Sequence, residues 1–230
     1  MTRTKPDKAM RTVARARTIL VTGFEPFGDE PVNPSQEIAR QLHGLVVGRR
    51  HQVVAGLLPC VFGESRRELR WLMKRHDPEI VICLGLAAGR GEVMPERVAI
   101  NVDDARIADN AGAQPIDRPI VKGGPAAYWS TLPIKAIVAA LQARGIPAAV
   151  SQTAGTFVCN HVFYGLMHEL VGNDRRRTVR GGFIHVPCMR GSGEKRPALP
   201  LEVMVEAVSV AIATTLAVKR DTRVAGGRIS

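Results

Sequence analysis

The chain has 230 residues, 45% of them apolar, which suits one globular domain with a sizeable core. The net charge is +11, but residues 1–17 carry +5 and residues 219–230 carry +3, leaving +3 for the body; with aromatics at 4%, this pattern argues against a nucleic-acid partner. The four cysteines (Cys60, Cys83, Cys159, Cys188) are scattered, which speaks against a disulfide framework or a zinc-type pairing and fits a reducing cytoplasm.

No window approaches the roughly 18 apolar residues of a membrane span, and no apolar signal region opens the chain. Residues 1–16 and 220–230 therefore read as basic, solvated tails around a single α/β domain over 17–219. Thr18–Thr22 is the first strand, and Gly23–Asn33 is a loop punctuated by Gly and Pro. A helix begins at Asn33-Pro34 and runs to about Leu42, with Asn33 as N-cap, Pro34 in the first helical position and Gln36 as the capping-box partner. Val53–Leu58 is a strand, Glu64–Arg75 a helix and Glu79–Leu84 a fully apolar strand, followed by a small-residue loop, Gly85–Gly91. Arg97–Val102 alternates like a strand, and Asp103–Pro125 is a polar loop of the length usually tied to function or an interface. Thr131–Arg144 is a helix ending at Gly145, and Ile146–Val150 a short buried strand. Val158, Val162, Leu166 and Leu170 then recur at helical spacing, with Thr156 where an N-cap belongs. A strand, Gly182–Val186, and a helix from Leu201 to Val218 complete the domain. Strands alternating with helices predict a three-layer α/β/α sandwich around a mainly parallel, partly mixed, twisted sheet.

In such sheets ligands bind beyond the C-terminal strand ends. That rule gathers the Phe24–Asn33 loop, the Gly85–Gly91 loop, the start of the Cys159 helix and His185 at its strand end. Cys159 falls in the first turn of a helix, where free backbone N–H groups and the helix dipole favour a thiolate and could hold an oxyanion. A nucleophilic cysteine needs a base, and the base an orienting group. His161 and His168 share the Cys159 helix but face away from it, as packing or surface residues. His43, His51 and His76 stand at helix ends or beside arginines, where a solvated role is the default. His185 closes an apolar strand expected to neighbour the one before Cys159. Either Glu96 or Glu92 could be the acid, and spacing does not separate them; Glu96 could equally pair with Arg97.

Thr22-Gly-Phe-Glu-Pro-Phe-Gly28 with Asn33-Pro34, Pro95-Glu-Arg-Val-Ala-Ile-Asn101, Gly124-Pro-Ala-Ala-Tyr-Trp-Ser-Thr-Leu-Pro133, Ser151-Gln-Thr-Ala-Gly-Thr-Phe-Val-Cys-Asn-His161 and Gly182-Phe-Ile-His-Val-Pro187 resemble the pyroglutamyl peptidase I family. The resemblance implies a cytoplasmic cysteine peptidase, commonly a homotetramer, that uses no metal or cofactor and removes N-terminal pyroglutamate from peptides. It implies a Cys159–His185–Glu96 triad and so selects Glu96 over Glu92. It also implies a ring slot of Phe24, Phe27 and Phe157 with Val158 and Ile107 nearby, a lactam contact at Asn33, and Arg106 close to the oxyanion. It places Leu86 among the substrate-binding positions, where many members carry Gln, so ring affinity falls if the family's contact there uses the side chain and not the backbone; residues 1–16 and Arg190–Pro200 have no evident counterpart. A neutral lactam suits an apolar slot with one or two matched polar groups, although one Asn33 side chain is asked both to cap a helix and to meet the ligand. A non-catalytic scaffold whose basic tails recruit an acidic partner is the alternative reading.

Overall fold

The computed structural model describes residues 16–28, 30–176, 178–191 and 196–227. The N-terminal tail expected over residues 1–16 lies outside them except for Ala16. From the N-terminal end come β1 (Arg17–Phe24), α1 (Pro34–Leu42), β2 (Val46–Val47), β3 (His51–Leu58) and α2 (Glu64–His76). Then follow β4 (Ile80–Leu86), β5 (Met94–Pro95), β6 (Val98–Ile100), β7 (Ala127–Trp129), α3 (Ile134–Gln142) and α4 (Val158–Val171). The last elements are β8 (Arg180–Val186), β9 (Cys188–Met189), β10 (Ala198–Leu199) and α5 (Leu201–Ala217).

Six strands form one sheet in the order β2-β3-β1-β4-β8-β5. The four central strands are parallel, and β2 and β5 add antiparallel edges. Strand alternation splits the core into two layers. Ile19, Val21, Val53, Ile82, Leu84, Ile184 and Val186 pack with α1, α3 and α5. Leu20, Leu58, Val81, Cys83 and Phe183 pack with α2 and α4. This is an α/β/α sandwich, and its parallel strands are apolar on both faces because both faces are covered.

The structure departs from the sequence reading at several points that shape the site. Ile146–Val150 is largely buried but is not a regular strand; it meets residues 93–97 only through single bridges, Val93 to Ala148 and Glu96 to Ser151. Pro147 lacks the N–H that a full ladder needs. Residues 93–97 thus lie between β8 and the 146–151 segment, so His185 is not on the strand next to the one before Cys159. Arg97–Val102 does not join the main sheet; β6 pairs with β7 as a separate hairpin-like pair. Strand β4 extends through Leu86, so Gly85 and Leu86 belong to the sheet rather than to the loop. In α1 the N-cap is Asn33, but Gln36 supplies no reciprocal side-chain bond among the described residues; Ser35 takes its place, accepting from Phe24 N–H and donating to Asn33 Oδ1.

Residues 220–227 are mostly exposed, yet Asp221 accepts the Lys135 and Ala136 N–H groups at the start of α3. That anchor satisfies orphan donors of a helix whose N-cap, Pro133, has no side-chain cap. The single acid of this basic segment is thus a helix cap.

Candidate active site

Cys159 is the second residue of α4. The N-cap is Phe157 rather than Thr156, and no side chain caps the helix. Thr156 instead donates its hydroxyl to Asp104 C=O at 2.7 Å and accepts the Asp104 N–H at 3.0 Å. The first intrahelical bond runs from His161 N–H to Phe157 C=O. The N–H groups of residues 158–160 are therefore left without an intrahelical partner, at the positive end of the helix dipole. Gly155, with φ +75°, makes the turn that a residue with a Cβ would strain.

The thiol is brought to the sheet by a glycine. A Cβ on Gly85 would lie 2.8 Å from Cys159 Sγ and 2.7 Å from Phe183 Cζ. Gly85 is the register partner of His185 across β4 and β8. Parallel partners stand side by side about 4.8 Å apart, with side chains on the same face. The sulfur therefore rests over the strand position next to His185, and only glycine leaves room for it.

His185 is 5% exposed, and its Nδ1 lies 2.7 Å from Glu96 Oε1. With Nδ1–H donated to the carboxylate, Nε2 is the acceptor nitrogen; it makes no hydrogen bond among the described residues. Glu96 is 0% exposed and is placed by its own N–H bonding Phe183 C=O and by the bridge to Ser151. Its ion pair is with Arg90, at 3.0 Å, and not with Arg97, which turns to Gln152 and the Gly226 carbonyl.

The sequence reading expects an acidified thiol at this helix start; burial acts in the opposite sense. Desolvation pushes the Cys159 thiol well above its ordinary value, with Cys60, Glu96 and Cys83 adding to the rise and Arg90 opposing it. Burial likewise raises Cys60 and Cys83 to about 12.

A second histidine–carboxylate pair joins α4 to the loop after β6. His161 Nδ1 is 2.8 Å from Asp103 Oδ2, and its Nε2 accepts the Gly63 N–H at 3.0 Å. His168 meets the Tyr128 hydroxyl at 2.9 Å and stacks on Tyr164. Both are packing residues; His161 is 5% exposed.

Phe27 and Phe157 have ring centroids 6.1 Å apart, and Phe62 meets Phe157 edge-on at 5.4 Å. Phe62 was not evident from the sequence, because nothing in Val61-Phe62-Gly63 marks it apart from an ordinary loop aromatic. Phe24 is buried against Phe183 at 6.4 Å. Asn33 is 1% exposed, with Oδ1 accepting from Ser35 and Nδ2 donating to Glu25 C=O. Its amide fastens the Glu25–Phe27 loop to α1. Glu25 in turn accepts from Cys60 N–H and Asn110 Nδ2, which stitches the long 103–125 loop to the same place. Val158 is fully buried at the helix start. Leu86 shares the parity of Ile82 and Leu84, opposite Gly85, and is 7% exposed. Arg106 and Ile107 are exposed, two and three residues beyond the Asp104–Thr156 fastening. Among the described residues no group of His, Cys, Asp and Glu could hold a metal ion, and no helix is long and apolar enough to cross a membrane.

A family model described as pyroglutamyl peptidase matches residues 17–218. The chain is similar to a pyrrolidone-carboxylate peptidase of Cupriavidus pinatubonensis, with 57% identity over 216 residues, 93% of this chain and 99% of that one. It is 50% identical over 214 residues to the protein of that name from Bacillus cereus, covering 92% of this chain and 98% of the relative. Among solved structures, pyroglutamyl peptidase I of Bacillus amyloliquefaciens superposes with a TM-score of 0.86 at 48% identity, covering 90% of this chain and 100% of that one. Pyrrolidone carboxyl peptidase of Pyrococcus furiosus superposes with a TM-score of 0.83 at 42% identity, covering 87% and 98%.

Proposed function

The chain belongs to the pyroglutamyl peptidase family, and from that premise we propose that Cys159, His185 and Glu96 carry the hydrolysis of N-terminal pyroglutamyl peptides. The observation that supports the assignment most is the sulfur over Gly85 beside a buried His185–Glu96 pair with its Nε2 open. A non-catalytic scaffold would have no use for that arrangement.

The reaction is acyl transfer. As the pyroglutamyl carbonyl arrives, His185 Nε2 takes the Cys159 proton and the sulfur bonds to the carbonyl carbon. The N–H groups at the start of α4 hold the oxyanion. His185 gives its proton to the leaving amine, the C–N bond breaks, and a thioester remains. Water then loses a proton to His185 and attacks the thioester; the C–S bond breaks, the thiol is re-formed and pyroglutamic acid departs. Glu96 fixes the His185 tautomer throughout and stabilises the imidazolium.

Phe27 and Phe157, with Phe62, Phe24 and Val158 behind them, form the apolar slot for the lactam ring. Ile107 and Arg106 flank its mouth, and Asn33 positions the Phe24–Phe27 loop. Residues 17–219 act as one domain. By resemblance, the protein is a cytoplasmic homotetramer; four free cysteines fit a reducing compartment, and exposed Ile116 and Trp129 offer apolar surface to a second copy.

The test is kcat/KM for pyroglutamyl, prolyl and glutamyl amides of one chromogenic leaving group, before and after iodoacetamide. Pyroglutamyl amide is cleaved and iodoacetamide abolishes the rate. Prolyl amide falls by on the order of 10⁴, because it lacks the lactam carbonyl and brings a charged amine into an apolar slot. A prolyl rate within about tenfold, a gap of only 1.4 kcal/mol, overturns the lactam slot.

A further inference from the structure

Arg90 has no part in the reaction as written above, yet its guanidinium joins the three segments that build the site. It leaves the turn after β4, where its N–H bonds Ala87 C=O. Nη1 donates to Glu96 Oε1 and to Ser151 Oγ, both at 3.0 Å, and Nη2 donates to Thr153 C=O at 3.1 Å. Ser151 and Thr153 belong to the segment that enters α4 and carries Cys159 to the sheet.

Resting on the triad assignment, we propose that Arg90 is a positioning residue for the reaction, clamping the acid that orients His185 to the segment that delivers Cys159. Two features carry this. Glu96 is completely buried, and a buried carboxylate is costly unless it is paired and hydrogen-bonded. Its Oε2 has no hydrogen-bond partner among the described residues, so Oε1 alone takes both the His185 and the Arg90 donors. Without Arg90 the carboxylate keeps one hydrogen bond and no counter-charge. The second feature is the fork. Three acceptors on two chain segments are met by two nitrogens of one planar group, which a lysine ammonium on a flexible stem does not reproduce. The same cation also favours the Cys159 thiolate, against the opposing influence of Cys60, Cys83 and Glu96. The ionisable groups around the reacting sulfur are thus Cys60 after β3, Cys83 on β4, Arg90 and Glu96 on the loops beyond it, and His185 on β8.

The experiment compares Arg90→Met, Arg90→Lys, Arg90→Ala and Ser151→Ala with the parent on a pyroglutamyl amide. Arg90→Met lowers kcat by about 10- to 100-fold, the scale on which outer positioning partners act, with KM changed by less than about threefold. Arg90→Lys keeps the charge but recovers kcat only in part. Guanidinium ion added to Arg90→Ala at low millimolar concentration restores rate, since the Arg90 side chain is 31% exposed and its place is open to solvent. The pH profile for iodoacetamide inactivation moves to higher pH in Arg90→Met and stays in place in Arg90→Lys. Ser151→Ala, which removes one acceptor and little volume, lowers kcat several-fold and answers the question if Arg90→Met does not fold. Parent-like kcat in Arg90→Met, or in Ser151→Ala should Arg90→Met not fold, overturns the proposal. So does a loss with no shift of the inactivation profile and no guanidinium rescue, which is a structural role only. Glu96→Gln is run beside them. If it turns over like the parent, the triad assignment fails; if it is impaired while Arg90→Met is not, only the clamp fails.

Discussion

Two histidines in this molecule are held by buried carboxylates in nearly the same way, and our proposal gives a chemical role to only one of them. His185 leans on Glu96 at 2.7 Å and His161 on Asp103 at 2.8 Å, and both rings are 5% exposed. The difference is at the far nitrogen. His161 Nε2 is consumed by the Gly63 N–H, so the pair locks the loop before α2 to the loop after β6. His185 Nε2 makes no hydrogen bond among the described residues, and the Cys159 sulfur rests over Gly85, the register partner of His185. A histidine–acid pair is therefore not by itself a catalytic signal. What distinguishes the pair we assign to catalysis is an unspent acceptor on the strand position next to the Cys159 sulfur.

The matched carboxamide variants break the comparison most sharply. Glu96→Gln loses on the order of 10² to 10⁴ in kcat/KM, because the amide no longer fixes the imidazole tautomer or balances its charge. Asp103→Asn stays within about tenfold in rate but loses about 1–3 kcal/mol of stability, since it disturbs a buried, fully engaged pair. Steady-state kinetics and chemical denaturation of the two proteins check both halves; equal rate losses would erase the distinction.

The comparison also bears on the Cys159 thiol itself. Burial raises the thiol above its ordinary value of 9.0. A raised value means that the folded state holds its proton more tightly than the unfolded one. The associated stability is therefore complete below about pH 9 and is lost as pH rises toward the folded value. Cys60 and Cys83 act in the same sense, up to about 12. Denaturation midpoints should fall above pH 9, and Cys159→Ala should shallow the fall by up to about 1.4 kcal/mol per pH unit. An unchanged slope would mean that burial does not raise the Cys159 thiol.

The smallest effect belongs to Leu86. Strand alternation turns its side chain away from Gly85 and the sulfur, so Leu86→Gln should change kcat/KM for a pyroglutamyl amide by less than about threefold, a difference below 1 kcal/mol. A larger gain would show that the side chain meets the ring.

Much of the architecture was legible because apolar periodicity reports burial directly. The parallel strands, the five helices and the position of Cys159 in a first helical turn all follow from spacing. What spacing could not show was lateral order. The expectation that His185 neighbours the strand before Cys159 missed the 93–97 segment between them, because β5 is only two residues long and carries a proline. That same intervening segment is what sets Glu96 against His185. Thr156 looked like an N-cap because its hydroxyl type suits one, but tertiary contact with Asp104 claims it. Arg90 and Gly85 were visible only as parts of a small-residue run; their significance is the approach of distant segments, which no local pattern encodes. The Asn33 amide shows the reverse case, a cap readable from Asn-Pro whose engagement at both ends emerges only in three dimensions.

The most direct test of the central claim is to remove each ring in turn and measure kcat/KM on one pyroglutamyl amide. His185→Ala should lose at least about 10⁴, and His161→Ala, although less stable, should keep its rate within about 30-fold once the folded fraction is taken into account. A parent-like rate in His185→Ala, or a fall in folded His161→Ala as deep as that of His185→Ala, would contradict the account.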